Sequence, residues 1–307
     1  MQIISEGKLA THRYGKLMER LNRGEIIFKI IAYVLTTLLA IMALYPLVYA
    51  FSASISGRVA YEAGLVTLFP KDLQFETYIK LYRDDSFWVA YSNTIFYTLF
   101  GTIWSMFVSS VGAYALSKKR LLFRKQFNFI VVFTMWFSAG IIPTFLNYNN
   151  IFKLMGIPVK WGMIIAFAAT AYNVILLRSY FESVPHEIEE ASRIDGASEW
   201  QIFTKIYIPM SKSAIATVAL FYATARWNGY FWNMMLVKEQ IDFPLQVYMR
   251  TLIQNYESLV NAMPDAPFAP QSYVYAILIC SIIPILVVYP YIQKYFEKGV
   301  TVGGVKG

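Results

Sequence analysis

Six stretches of this chain are each long and apolar enough to cross a bilayer, and that leaves few folds open to it. They run from Phe28 to Ser52, Trp88 to Ser117, Phe127 to Leu146, Trp161 to Phe181, Ala214 to Val237 and Tyr273 to Phe296. A helix needs about 20 residues to span the hydrocarbon layer. None of the six contains an Asp or Glu, whereas a water-soluble bundle keeps a charged face on each helix. Their length and periodicity argue against a transmembrane β-barrel. Only 15% of the 307 residues are charged, too few to cover a soluble protein, where about 25% is usual. The sequence predicts an all-α, polytopic membrane protein with six transmembrane helices.

The loops set the orientation. Of the 27 Lys and Arg residues, 18 fall before span one, between spans two and three, between four and five, and after span six, counting Lys29, Arg178 and Lys294 at the adjoining span edges. Eight fall in the alternate loops, and the last, Arg226, lies inside span five. The excess marks the cytoplasmic side, so both termini are expected there. The net charge of +8 thereby has a source in cytoplasmic loops, and nucleic acid is not expected as a partner. The region before span one, about 27 residues, and the apolar core of that span, about 20, are both too long for a cleaved signal peptide, so span one is expected to be a retained helix. Within the preceding region, Leu17, Met18 and Leu21 share a face over Tyr14 to Glu25, as in a helix lying on the inner leaflet. Residues 1–27 read as a basic cytoplasmic arm, 28–296 as the membrane domain, and 297–307 as a cytoplasmic tail.

Several chemistries are missing. No carboxylate or histidine stands in a span to relay protons. There is no HExxH, no CxxC and no phosphate-cradling G-x-x-x-x-G-K-[ST]. The single cysteine, Cys280, excludes a disulfide within the chain. No catalytic residue, metal site or cofactor site is expected, and any energy source must come from a partner.

The informative segment follows span four, between residues 184 and 210. Pro185 suits the first turn of a helix, and Ile188, Ala191 and Ile194 recur on one face. Gly196 ends that helix through positive φ. Ser198 caps a second short helix bearing Ile202, Phe203 and Ile206, and Pro209 stops it before span five. The expected product is an amphipathic helix–turn–helix at the cytoplasmic face.

Glu190-Ala191-Ser192, then Asp195-Gly196-Ala197, then Ile206-x-Ile208-Pro209 resembles the "EAA" loop of the membrane subunits of binding-protein-dependent ABC importers. Ser192 replaces a frequent Ala. The resemblance implies the type I ABC importer permease fold and a first short helix that docks on a cytoplasmic ATPase subunit. The C-terminal Gly303-Gly304-Val305-Lys306-Gly307 is similar to the tail of the smaller membrane subunit of maltose-type sugar importers, which reaches between the two ATPase subunits. The resemblance further implies a carbohydrate, and specifically oligosaccharide, substrate, a second homologous permease subunit, two ATPase subunits that bind ATP and Mg, an extracellular or periplasmic solute-binding protein, and a place in the bacterial cytoplasmic membrane among its lipids. A secondary carrier, or a membrane scaffold that does not transport, are the alternatives. The missing intramembrane carboxylates disfavour the first, and the loop motif disfavours the second.

Span five supplies the path candidates. Arg226 is expensive inside a membrane, about 2.5–3.5 kcal/mol on insertion scales, so it must face a wet cavity or the bundle interior. On a continuous helix Tyr222, Arg226, Tyr230 and Asn233 share one stripe. The adjacent Trp227-Asn228 resembles a Trp-Asn pair of sugar permeases and points to another face. Arg226 has two readings: a sugar contact, or a structural residue bonded to carbonyls of a neighbouring span or of the sister subunit. Outside the membrane, the Lys238 to Ser272 segment carries Pro244, Pro264, Pro267 and Pro270. In the resembled family such loops meet the solute-binding protein.

Overall fold

The computed structural model describes the backbone of residues 23–303 and the side chains of residues 24–290. In chain order the helices are α1 (Arg23–Ser54), α2 (Arg58–Glu62), α3 (Glu76–Tyr82), α4 (Asp85–Ser117), α5 (Arg124–Trp136), α6 (Ile141–Met155), α7 (Val159–Ala166), α8 (Ala171–Glu182), α9 (His186–Ile194), α10 (Glu199–Ile202), α11 (Ile208–Met210), α12 (Lys212–Trp227), α13 (Phe231–Leu236), α14 (Leu245–Gln254), α15 (Tyr256–Asn261) and α16 (Pro270–Gly303). A π-helical turn, Phe203–Tyr207, joins α10 to α11. Among the described residues the sole strand-like pairing is one antiparallel bridge between Ser56 and Leu73.

Three of the six expected spans are single helices, two fall on bent helix pairs, and a third bent pair joins the end of the cytoplasmic loop to the helix that begins span five. Gly24–Ser54, Asp85–Ser117 and Pro270–Pro290 could each cross a membrane unaided. The pair α5–α6 bends by 117°, α7–α8 by 44°, and Glu199–Met210 against α12 by 86°. The first break has a local cause: Gly140 adopts φ +84, a region open to glycine and costly for other residues. At the 86° bend the chain stays helical through Pro209 to Met210 and leaves the helix at Ser211, two residues later than the sequence suggested. Proline lacks an N–H and crowds the preceding turn, consistent with the π-helical turn just before it. The expected span five also stops short. Its helix ends at Trp227 and resumes only at Phe231, so its polar stripe is not continuous.

The described residues form two compact units, one up to residue 75 together with 266–276, the other of residues 76–265 together with those from 277 onward. In the first, Ser52 Oγ donates to the Leu68 carbonyl (2.7 Å) and the Arg58 N–H to the Pro267 carbonyl (2.8 Å). Tyr61 and Tyr49 both pack edge-on against Tyr275. Along α1, Ile30, Leu39 and Leu44 are each more than half exposed, as suits a helix facing lipid. In the second unit α4 packs along α8 and α12. Its core is drawn from all of these and from the loop beyond: Leu177, Phe181, Ile202 and Val218 are buried together. The arm up to residue 22, and Gly304, Val305 and Lys306 of the tail, lie outside the described residues; Gly303 is the last residue of α16.

Candidate functional site: the cytoplasmic loop and the broken spans

The loop between α8 and α12 folds as its local chemistry dictates. Pro185 stands at the N-cap of α9, one position earlier than expected. At the other end Gly196 has φ +79. Its N–H donates to the Arg193 carbonyl (3.0 Å), and the Ala197 N–H to that of Ser192 (2.9 Å). This doubly bonded ending needs a residue tolerant of positive φ, which Gly196 supplies. Ser198 then forms a complete capping box: its hydroxyl accepts from the Gln201 N–H (3.3 Å), and its own N–H donates to Gln201 Oε1 (2.8 Å).

The helix α9 is turned opposite to a soluble amphipathic helix. Its apolar stripe is outside: Ile188 is 39% exposed and Ile194 87%, with Glu190 and Ala191 exposed beside them. Underneath lies a carboxylate, Glu189, at 2% exposure. Glu189 Oε2 accepts from Lys118 Nζ (2.9 Å) and from the Tyr207 hydroxyl (2.5 Å), and Oε1 pairs with Arg193 one turn along. Lys118 is the first residue after α4, and its ammonium also sits over the rings of Tyr207 (3.7 Å) and Tyr114 (4.0 Å). Burial alone would raise the Glu189 carboxyl. The hydrogen bonds from Tyr207 and Lys118, with the charges of Lys118 and Arg193, outweigh it and hold the group below the ordinary carboxylate value. Burial pulls Lys118 down, and Glu189 opposes that pull.

Deeper in the unit, Arg226 is fully engaged with backbone. Nη1 donates to the Met163 carbonyl (2.5 Å), and Nη2 to the carbonyls of Phe167 (2.6 Å) and Ile164 (3.2 Å) and to Ser105 Oγ (3.2 Å). These carbonyls form the C-terminal end of α7, where partial negative charge gathers. A guanidinium is well matched to several acceptors at once. The side chain passes over Gly101 of α4, where a Cβ would lie 2.9 Å from Nε. One turn back, the Tyr222 oxygen accepts from the Thr170 N–H (3.0 Å) and lies 2.6 Å from Ser109 Oγ. The break between α7 and α8 is thus held from α12 at both ends.

The structure brings three of the six path candidates together. Tyr222, Arg226 and Asn233 line a cavity of about 210 Å³ with Tyr97, Phe167 and Trp232. The other three lie elsewhere. Trp227 packs edge-on against Tyr91, the Asn228 amide donates to the Thr224 carbonyl (3.0 Å), and Tyr230 OH lies 2.7 Å from Met234 Sδ. Tyr230 falls in the break that interrupts the stripe, while Trp227 and Asn228 close the end of α12 on another face. Of Arg226's two readings, these bonds match the structural one, with carbonyls of this chain. In the loop, Ile206 is half-buried while Ile208 and Pro209 lead into α12. Sequence reasoning missed Glu189, Lys118 and Tyr207. The one available signal was the opposite-charge spacing of Glu189 and Arg193, which on most helices marks a solvated face.

A family profile described as "Binding-protein-dependent transport system inner membrane component" matches residues 18–302. The chain is 34% identical over 285 residues to the polygalacturonan/rhamnogalacturonan transport system permease protein YtcP of Bacillus subtilis (strain 168), covering 92% of this chain and 99% of that protein. It is 28% identical to the maltodextrin transport system permease protein MdxG of the same organism, covering 93% and 99%. Among solved structures, a chain of a bacterial ABC transporter involved in the import of the acidic polysaccharide alginate superposes with a TM-score of 0.83 at 45% identity, covering 90% of this chain and 99% of that one.

Proposed function

The chain belongs to the inner membrane components of binding-protein-dependent transport systems, and from that membership we propose that it serves as one permease subunit in the import of an acidic, uronate-containing oligosaccharide. Membership makes it a transport subunit and not an enzyme, and its relatives carry oligosaccharides. The observation that carries the acidic reading is agreement between two relatives: the solved importer handles alginate, and YtcP is named for polygalacturonan and rhamnogalacturonan.

In this reading α9 docks on a cytoplasmic ATPase subunit through its exposed stripe of Ile188, Ala191 and Ile194 with Glu190. An apolar stripe facing away from its own core is the mark of a surface awaiting a partner. ATP and Mg belong to two such subunits, and a second permease completes the pathway. A solute-binding protein delivers the sugar from outside, and the termini are cytoplasmic, as the loop charges favour. In the same reading the tail residues Gly303, Gly304, Val305 and Lys306 serve as a contact with the ATPases. The cavity beside Asn233, with Trp232 and Phe167 as flat apolar walls, lies along the path, and Arg226 shapes it without touching sugar.

The test is ATPase stimulation of the purified complex by its binding protein across a panel of oligogalacturonates, alginate oligosaccharides and maltodextrins. Stimulation confined to the acidic members is expected. Stimulation by maltodextrin alone would overturn the acidic reading.

A further inference from the structure

We propose that Glu189 is a positioning residue: with Lys118 and Tyr207 it forms the joint that transfers movement of α9 to α4 and α12. This rests on the reading of α9 as the ATPase-docking helix. Three observations carry it. First, the joint gathers three separate parts of the chain on one carboxylate. Lys118 follows the last turn of α4, Glu189 is the buried side of α9, and Tyr207 ends the π-helical turn that leads through α11 to α12. Second, the bonds are buried and charged, with the Lys118 and Glu189 side chains 8% and 2% exposed. A surface ion pair yields readily to water, whereas removing one partner of a buried pair strands the other. The surrounding loop pairs are different: Arg120 with Glu199 is about half exposed on both sides. Third, Glu189 is the one buried residue of α9. The large apolar residues of that helix, Ile188 and Ile194, face outward, so the carboxylate is the buried side-chain contact through which the helix meets what lies beneath it.

The far end of the same elements makes the joint consequential. Further along α4, the turns carrying Ser105 and Ser109 hold Arg226 and Tyr222 of α12. Those two residues in turn hold the break between α7 and α8. Both helices leaving the joint therefore meet again at that break. Spatial continuity alone does not establish coupling, so the decisive measurement is of coupling itself.

The experiment uses the assembled complex in nanodiscs and compares wild type with three variants. Lys118→Met combined with Glu189→Gln removes both charges without stranding either. Tyr207→Phe removes one hydroxyl and keeps the ring under the ammonium. Lys118→Arg preserves the cation. Two readouts are taken: ATPase stimulation by binding protein loaded with trigalacturonate, relative to basal ATPase, and the change in thiol labelling at position 170 (Thr170→Cys in a Cys280→Ser background) on trapping with ATP and vanadate. The double variant should assemble and keep basal ATPase, yet lose stimulation at least tenfold and lose the ATP-dependent labelling change. Tyr207→Phe should lose a few-fold, and Lys118→Arg should retain both. Wild-type values in the double variant would overturn the proposal, and so would its failure to assemble, which would make the joint a folding element. Should trigalacturonate fail to stimulate even the wild type, the acidic-substrate reading fails, while the labelling change still decides the joint.

Discussion

Two cations in the same unit, Lys118 buried and Arg226 half-buried, are stabilised in opposite ways. Lys118 is neutralised by a carboxylate, Glu189, and by two aromatic faces. Arg226 has no carboxylate among its bonded partners; it is solvated by three carbonyls and a serine hydroxyl. The chemistry of the two side chains explains the assignment. A compact ammonium presents a point charge, well suited to one anion, while a planar guanidinium spreads five donors over several acceptors. The environments differ to match. Lys118 lies at the end of a span, where a second charge can be tolerated. Arg226 lies within one, where a helix end offers partial negative charge with no second ion to bury. The first arrangement joins three separate segments through one residue; the second ties a helix break shut with many bonds.

The largest expected effect is at Arg226. Arg226→Ala would strand the carbonyls of Met163, Ile164 and Phe167, at about 1–3 kcal/mol for each buried group left unpaired. The complex should fail to assemble, measured by co-purification of the partner subunits. Arg226→Lys should not restore it, because one ammonium cannot replace the fork. Normal assembly of Arg226→Ala with altered sugar preference would instead make Arg226 a path residue and dissolve the contrast with Lys118. Gly101→Val sharpens the same point: the added carbon would meet Arg226 Nε at about the 2.9 Å found for a Cβ, so assembly should fall without any charge being changed.

A smaller effect is expected on the other side of the comparison. Gly196→Val places a branched residue at φ +79, a strain of about 1–3 kcal/mol. It loosens the turn after α9 and leaves Glu189 in place. The variant should insert and assemble, with transport reduced while basal ATPase persists. Wild-type transport would reduce the turn to a plain connector.

The smallest effect is with pH. The fold lowers the Glu189 value below 4.5, so it favours the ionised form. The resulting stabilisation is complete above the ordinary carboxylate value and is lost as pH falls through the lower folded value. Thermal unfolding of the complex should show no pH dependence from this group between about pH 5 and 8, where its stabilisation is constant, and a decline only in more acid solution. Glu189→Gln should flatten that acid limb, whereas Arg226, bonded to groups that do not titrate, should contribute nothing to it. An unchanged limb would mean that the carboxylate is not held ionised by its neighbours.

Much of this was legible in the sequence because it depends on neighbours along the chain. The number and placement of apolar stretches follow from composition over about 20 residues. The turn at Gly196 and the cap at Ser198 follow from backbone conformation and a hydroxyl three residues from its donor. The break at Gly140 has a local cause as well, its positive φ, yet Phe127 to Leu146 reads from the sequence as one span. The tertiary structure alone decided the rest. Residues 167–170, Phe-Ala-Ala-Thr, contain neither Gly nor Pro, yet the helix opens there, its carbonyls taken by Arg226 and its Thr170 N–H by Tyr222 from more than 50 positions away. Likewise nothing in His-Glu-Ile-Glu-Glu distinguishes Glu189 from Glu187 or Glu190. What buries it is Lys118, 71 residues earlier, because a carboxylate leaves water only where a cation and a donor are already waiting.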